Sequence, residues 1–88
     1  MTPRYLTLSE AVELLETGFL TTPEIDGDTV SEVVAGINVH EATRVVESYL
    51  SLMTGQIDPD SVTVEPDTLD DAPDMDAAII TIKTREWE

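Results

Sequence analysis

Val30-Ser31-Glu32-Val33-Val34-Ala35-Gly36-Ile37-Asn38 decides the fold, because it sets whether the middle of the chain is one long helix or two. At about 100° per residue, Val30, Val33, Val34 and Ile37 fall on one azimuth. Ala42, Val45, Val46, Tyr49, Leu50 and Met53 cluster roughly 120° away on the same count. One straight helix cannot present both stripes to one core. The change of phase coincides with Gly36 and with Asn38, a good N-cap residue. The stretch therefore predicts a short second helix over Val30 to Ala35, a break, and a long third helix over Val39 to Met53.

Working outward, the same grammar recurs. Thr7 is followed three residues later by Glu10, Thr29 by Glu32, and Asn38 by Glu41, the spacing of a capping box. Gly18, Gly36 and Gly55 each follow a helical run, where a left-handed residue is wanted. A first helix is expected over Leu8 to Thr17, with Leu8, Ala11, Val12 and Leu15 facing inward. Thr22-Pro23-Glu24 is suited to a single helical turn, and Asp26-Gly27-Asp28 to a reverse turn.

Beyond Gly55 the period changes. Ser61 to Glu65 alternates around Val62 and Val64 as a strand does, and Ala77 to Trp87 reads as a second strand centred on Ile79, Ile80 and Ile82. Pro66 to Asp76 lies between them with Asp67, Asp70, Asp71, Asp74, Asp76 and two prolines, and is expected to be a long acidic loop. The fold expected is α+β in one domain over 1–88: a three-helix part at about 7–54, then an acidic loop and two strands at about 58–88.

Nineteen acidic residues stand against four basic ones in the 88, a formal charge of −15, and Lys83 is the only lysine. Such a surface repels itself unless salt or a partner neutralises it. At molar salt the screening length falls to about 3 Å. Lysine scarcity, the absence of cysteine and abundant Asp, Glu, Thr and Val fit a salt-rich cytoplasm. An acidic mesophilic protein and a nucleic-acid mimic are the alternatives. Four dispersed cations make no nucleic-acid-binding patch. No uncharged stretch approaches the ~18 residues of a membrane span, and no signal peptide is expected. A chain of this size buries only about 60% of its extended surface, so association is an expected source of stability.

No constellation of catalytic residues is expected. Without cysteine, the lone His40 makes no metal site, and it reads as a surface residue in the first turn of the third helix. The Asp58–Asp76 region lacks the spacing of a calcium loop. Glu10, Glu13 and Glu16 lie opposite the apolar stripe of the first helix, where solvated charge belongs. No cofactor is expected.

The last strand carries the candidate site. Alternation puts Ala78, Ile80, Ile82 and Thr84 on one face. Ala77, Ile79, Thr81, Lys83, Arg85 and Trp87 take the other. Tryptophan and arginine are enriched at interface hot spots, and both faces are apolar at the centre. Ile79, Thr81, Lys83, Arg85 and Trp87 are therefore candidates for contact with another chain, by strand addition or by docking. Packing of Trp87 onto its own domain is the alternative.

Tyr5-Leu-Thr-Leu-Ser-Glu-Ala11, together with Glu41-Ala42 and Val46-Glu-Ser-Tyr-Leu50, resembles the small head–tail connector (adaptor) proteins of tailed viruses over residues 5–53. The resemblance implies a non-enzymatic virion protein, in a homo-oligomeric ring that meets portal or tail proteins. It implies neither sequence-specific nucleic-acid binding nor a membrane. The family's longer helical C-terminal part is replaced here by the acidic loop and strand. An acidic nucleic-acid mimic and an accessory subunit of a halophilic complex, in the cytoplasm of such a host, are the rival expectations.

Overall fold

Thr29–Ala35 is a strand, and this overturns the expected three helices followed by two strands. The computed structural model describes residues 3–53 and 55–85. Across them the chain runs α1 (Leu8–Phe19), β1 (Glu24–Asp26), β2 (Thr29–Ala35), α2 (Val39–Leu50), a 3₁₀ turn at Pro59–Ser61, β3 (Val62–Leu69) and β4 (Ala72–Lys83). The strands form one antiparallel sheet in the order β1-β2-β4-β3. It is α+β with strands between and after the helices.

Why β2 is a strand follows from its residues. Thr29, Val30, Val33 and Val34 are β-branched, and a six-residue helix seldom survives nucleation. Val30 and Val34 are four apart, a spacing that satisfies the helical period and the strand period alike. The Asp26-Gly27-Asp28 turn, with Gly27 at φ 64, folds β1 onto β2, so Glu24 meets Ser31 and Asp26 meets Thr29. The Thr22–Glu24 helical turn is likewise replaced, by the approach to β1. The expected Thr29–Glu32 capping box does not exist. The Glu32 carboxylate accepts instead from Thr21 Oγ1 at 2.9 Å and from its neighbour Val33 N–H at 2.9 Å. Gly36 does take a left-handed φ of 81, but it ends a strand, and its N–H donates to Asp76 O at 2.7 Å.

The flanking helices follow their caps. Thr7 Oγ1 accepts from Glu10 N–H at 3.2 Å while Glu10 Oε1 accepts from Thr7 N–H at 2.9 Å, a complete capping box for α1. Asn38 Oδ1 accepts from Glu41 N–H at 2.9 Å at the start of α2. α1 buries Ala11, Leu14 and Leu15, and α2 buries Ala42 and Val46, with Val45, Tyr49 and Leu50 half-buried. Gly18 is not the end of α1. The left-handed residue is Leu20, at φ 55 and 89% exposed.

The long acidic loop is also replaced. Leu69 pairs with Ala72 around a turn at Asp70-Asp71, and residues 66–69 and 72–76 extend the two strands through an irregularity between Asp67 and Leu69. Pro66 is tolerated because β3 is an edge strand. Pro73 is tolerated because β2 reaches β4 only as far as the Ala35–Ala77 pair. The tip of the β3–β4 hairpin thus continues past the rest of the sheet, and the molecule measures 43 × 24 × 20 Å.

Both helices pack on one face of the sheet. That face is formed by the even-numbered residues Val30 and Val34 of β2, Ile80 and Ile82 of β4, and Val62 and Val64 of β3, closed by Leu6. The segment around Leu6 runs beside the end of β4: Arg85 N–H donates to Leu6 O at 3.0 Å, and Thr84 N–H donates to Asp28 O at 2.8 Å.

Candidate interaction surface

The second face of the sheet has no helix against it among the described residues, and none of its side chains joins the hydrophobic core cluster. Register fixes its composition in rows across β3, β4 and β2. Thr63, Thr81 and Ser31 form one row, Glu65, Ile79 and Val33 the next, and Asp67, Ala77 and Ala35 the third. Lys83, Thr29 and Asp26 form a fourth, and Glu24 of β1 extends the first beside Ser31. Ile79, Thr81, Val33 and Ser31 are half-buried by their lateral neighbours, while Thr63, Glu65, Asp67 and Lys83 are exposed. Ala77 is buried.

Lys83 is the one cation in these rows, at one end with Asp26 and Glu24 near it, and Glu65 and Asp67 lie toward the other. Six residues separate the Lys83 and Ala77 rows, about 20 Å at ~3.3 Å per residue. Between them lie threonine, serine, valine and isoleucine, with Glu65 on β3 and Glu24 on β1 at the margins. Arg85 follows just past the strand, with its guanidinium 5.0 Å from the centre of the Tyr5 ring. That stacking holds the cation just past the end of β4.

Of the candidate contact residues, Ile79, Thr81 and Lys83 share this face, Arg85 follows just past the end of β4, and Trp87 lies outside the described residues. Sequence reasoning misses Ser31 and Val33 because it places them in a helix, Asp67 because it places it in a loop, and Glu65 because only pairing with Ile79 brings that strand residue into the row. The alternating β-branched residues of 29–34 were the signal for β2. Strand addition onto β4 is overturned as a docking mode. Residues 77–83 are hydrogen-bonded to β2 on one side, and 77–82 to β3 on the other, so the backbone edge is taken. Only the face is open to a partner there.

The other cations are placed differently. Arg4 Nη1 and Nη2 contact the two Glu10 carboxylate oxygens at 2.8 and 3.0 Å. This guanidinium, with the Thr7 N–H, holds the Glu10 carboxyl down to about 2 against the opposing effect of partial burial, and the Arg4 pKa is raised in turn. Arg44 is exposed on α2, beside an open groove of about 450 Å³ lined with Val45, Tyr49 and the 80% exposed Leu52. Among the described residues no group of three or more His, Asp or Glu side chains is arranged to hold a metal ion, and His40 is exposed. Within the same residues no helix is long and apolar enough to cross a membrane.

Comparison with known proteins finds no match: no protein family, no curated protein and no solved structure corresponds to this chain.

Proposed function

We propose that this chain is a non-catalytic structural subunit that docks on protein partners through the uncovered face of its sheet. The observation that carries it is the row Glu65–Ile79–Val33. It places two branched apolar side chains at the centre of a face with no helix against it. A sheet with one face packed and one facing solvent normally alternates apolar and polar residues. Here the solvent side keeps isoleucine and valine at its centre, with charge at the ends, the pattern of an interface with a polar rim.

Within that class the particular proposal is a head–tail connector of a tailed virus whose host is halophilic. Its support is the residues at Tyr5–Ala11 and Glu41–Leu50, which lie in and around α1 and in α2. The part of the resemblance between them, once expected as short helices, is the β1–β2 hairpin and lends no support. In a virion the partner surfaces would be neighbouring subunits and portal or tail proteins.

The test is release. In its own cells at native salt the chain is expected to sediment in an assembly far larger than its monomer. Ile79→Lys should release it as a folded monomer, with unchanged circular dichroism. Wild-type chain that sediments as a monomer, or an Ile79→Lys variant that assembles normally, refutes docking through this face. Genes for portal and capsid proteins beside its own would favour the connector.

A further inference from the structure

We propose that the free edge of β1 receives a short basic–apolar–basic segment of another protein, added in extended form as a fifth strand of the sheet. This goes beyond the docking role of the open face and does not rest on it. β1 ends the sheet and pairs with β2 alone. Asp26 and Thr29 close a two-residue hairpin, so they exchange hydrogen bonds, and alternation turns Glu24 toward β2 in the same way. The N–H and C=O of Ile25 then point outward, and no hydrogen bond outside the sheet takes them among the described residues. The other edge strand, β3, is guarded by Pro66, whereas β1 contains no proline.

A groove makes the edge selective. Ile25 pairs with Val30, a core residue, so its side chain lies on the helix side of the sheet, and it is still 53% exposed. Beside it an open groove of about 330 Å³ runs along α1, with half-buried Leu8 and Val12 in its wall and exposed Glu13 and Glu16 at its rim. A strand laid ~4.8 Å beyond β1 puts every second side chain into that groove and the others beside Glu24 and Asp26 on the opposite face. An apolar side chain suits the first place, and a cation next to each carboxylate suits the second. The segment therefore alternates, with lysine or arginine on either side of a residue such as valine. The carboxylates set only the sign of the partner's charge. The site itself is the unpaired backbone and the groove, the two parts of recognition by strand addition.

A second copy does not supply the segment. Of the four cations only Lys83 and Arg85 stand two apart. Thr84 between them is buried, and its N–H and hydroxyl donate to Asp28 O at 2.8 and 2.7 Å. The three residues of β1 limit the pairing to a short segment, so the contact is a weak and reversible one. Salt weakens its ionic part and leaves the apolar and main-chain parts in place.

The experiment is a nuclear magnetic resonance titration of the full isotope-labelled chain, at the lowest salt at which circular dichroism shows it folded. The probe is the capped peptide Arg-Val-Arg-Val-Arg. Its controls are Arg-Arg-Arg-Val-Val, which has the same composition without alternation, and the alternating peptide N-methylated at both valines, which lacks the donor for Ile25 C=O. Saturating shifts are expected at Glu24–Asp26 and along Leu8–Glu16. Both control peptides should bind about tenfold more weakly or less, as should the alternating peptide to a chain carrying Glu24→Lys and Asp26→Lys. Both of those positions are exposed, and circular dichroism checks that the variant folds. Equal binding of all three peptides, or shifts scattered over the acidic surface, would show charge attraction alone and overturn the proposal. Saturable binding around Ile79 on the open face would overturn it too, as would no binding of the alternating peptide.

Discussion

Arg4 and Glu10 hold each other through two contacts, 2.8 and 3.0 Å, while the same Glu10 carboxylate receives the Thr7 N–H. One side chain therefore completes the α1 cap and ties the segment leading to Leu6 against it. The folded Glu10 pKa of about 2 lies below its ordinary 4.5. A depressed carboxylate contributes stability that is fully present above the unfolded pKa. That contribution is lost as pH falls from 4.5 through about 2. With the pair partly open to solvent, its worth is on the order of 1–2 kcal/mol. Melting of wild type and Glu10→Gln across this pH range should show wild type ahead at neutral pH and the two converging near pH 2. A gap that persists at the acid end would assign the effect to packing.

Val46 and Leu50 occupy the same side of α2 at different depths. Val46 is 4% exposed and Leu50 is half-buried. An unpaired carboxylate at Val46 costs several kcal/mol, comparable to the whole stability of so small a chain, about 5–10 kcal/mol. Val46→Asp should be unfolded by circular dichroism even at high salt. Leu50→Asp should fold with a lowered melting temperature, since its carboxylate can turn toward water.

Leu20 is a leucine in the left-handed conformation at the end of α1, and its side chain is 89% exposed. The conformation is unfavourable for any residue with a Cβ. Leu20→Gly loses almost no packing and should stabilise by about 0.5–1 kcal/mol, after the greater freedom of glycine in the unfolded chain is subtracted. Denaturant midpoints at fixed salt will measure it. A lower midpoint would show that the leucine has a contact that matters.

Salt should control folding. The charge of −15 is spread over helix faces, turns and the hairpin tip, and only the Arg4–Glu10 ion pair offsets it among the described residues. Circular dichroism is expected to show loss of structure as potassium chloride is lowered from molar toward millimolar. A melting temperature that holds throughout would refute adaptation to a salt-rich interior.

α1 and α2 were legible because their signals are local: Thr7 with Glu10, Asn38 with Glu41, and apolar stripes of the right period. β2 was not, because Val30 and Val34 satisfy both periods and the choice is made by pairing with Ile82 and Ala78, far away in sequence. The hairpin tip was hidden because aspartates and prolines read as loop, whereas a tip with little against it tolerates both. The contact face shows the same division. Ile79, Thr81 and Lys83 follow from alternation within one strand. Val33 and Glu65 reach the same row only through register with two other strands.

Truncation after Thr81, which would remove Lys83 and Arg85, takes Ile82 with it. Ile82 is fully buried in the core. The chain should then unfold rather than merely lose a contact, by about the 2–5 kcal/mol typical of deleting a large core side chain, and more for the lost pairing. Urea denaturation of the truncated chain in molar salt checks this.

The outer strand β3 has a further effect on the fate of the molecule at high concentration. Its rim carries Glu65, Pro66 and Asp67 in succession. A second β3 laid alongside would find a missing donor at the proline and carboxylates facing carboxylates. Growth of an endless ribbon, the first step toward fibrils, is therefore blocked sideways. In a crowded, salt-rich interior, where charge alone no longer keeps molecules apart, that rim keeps the β3 edge from seeding a ribbon of copies.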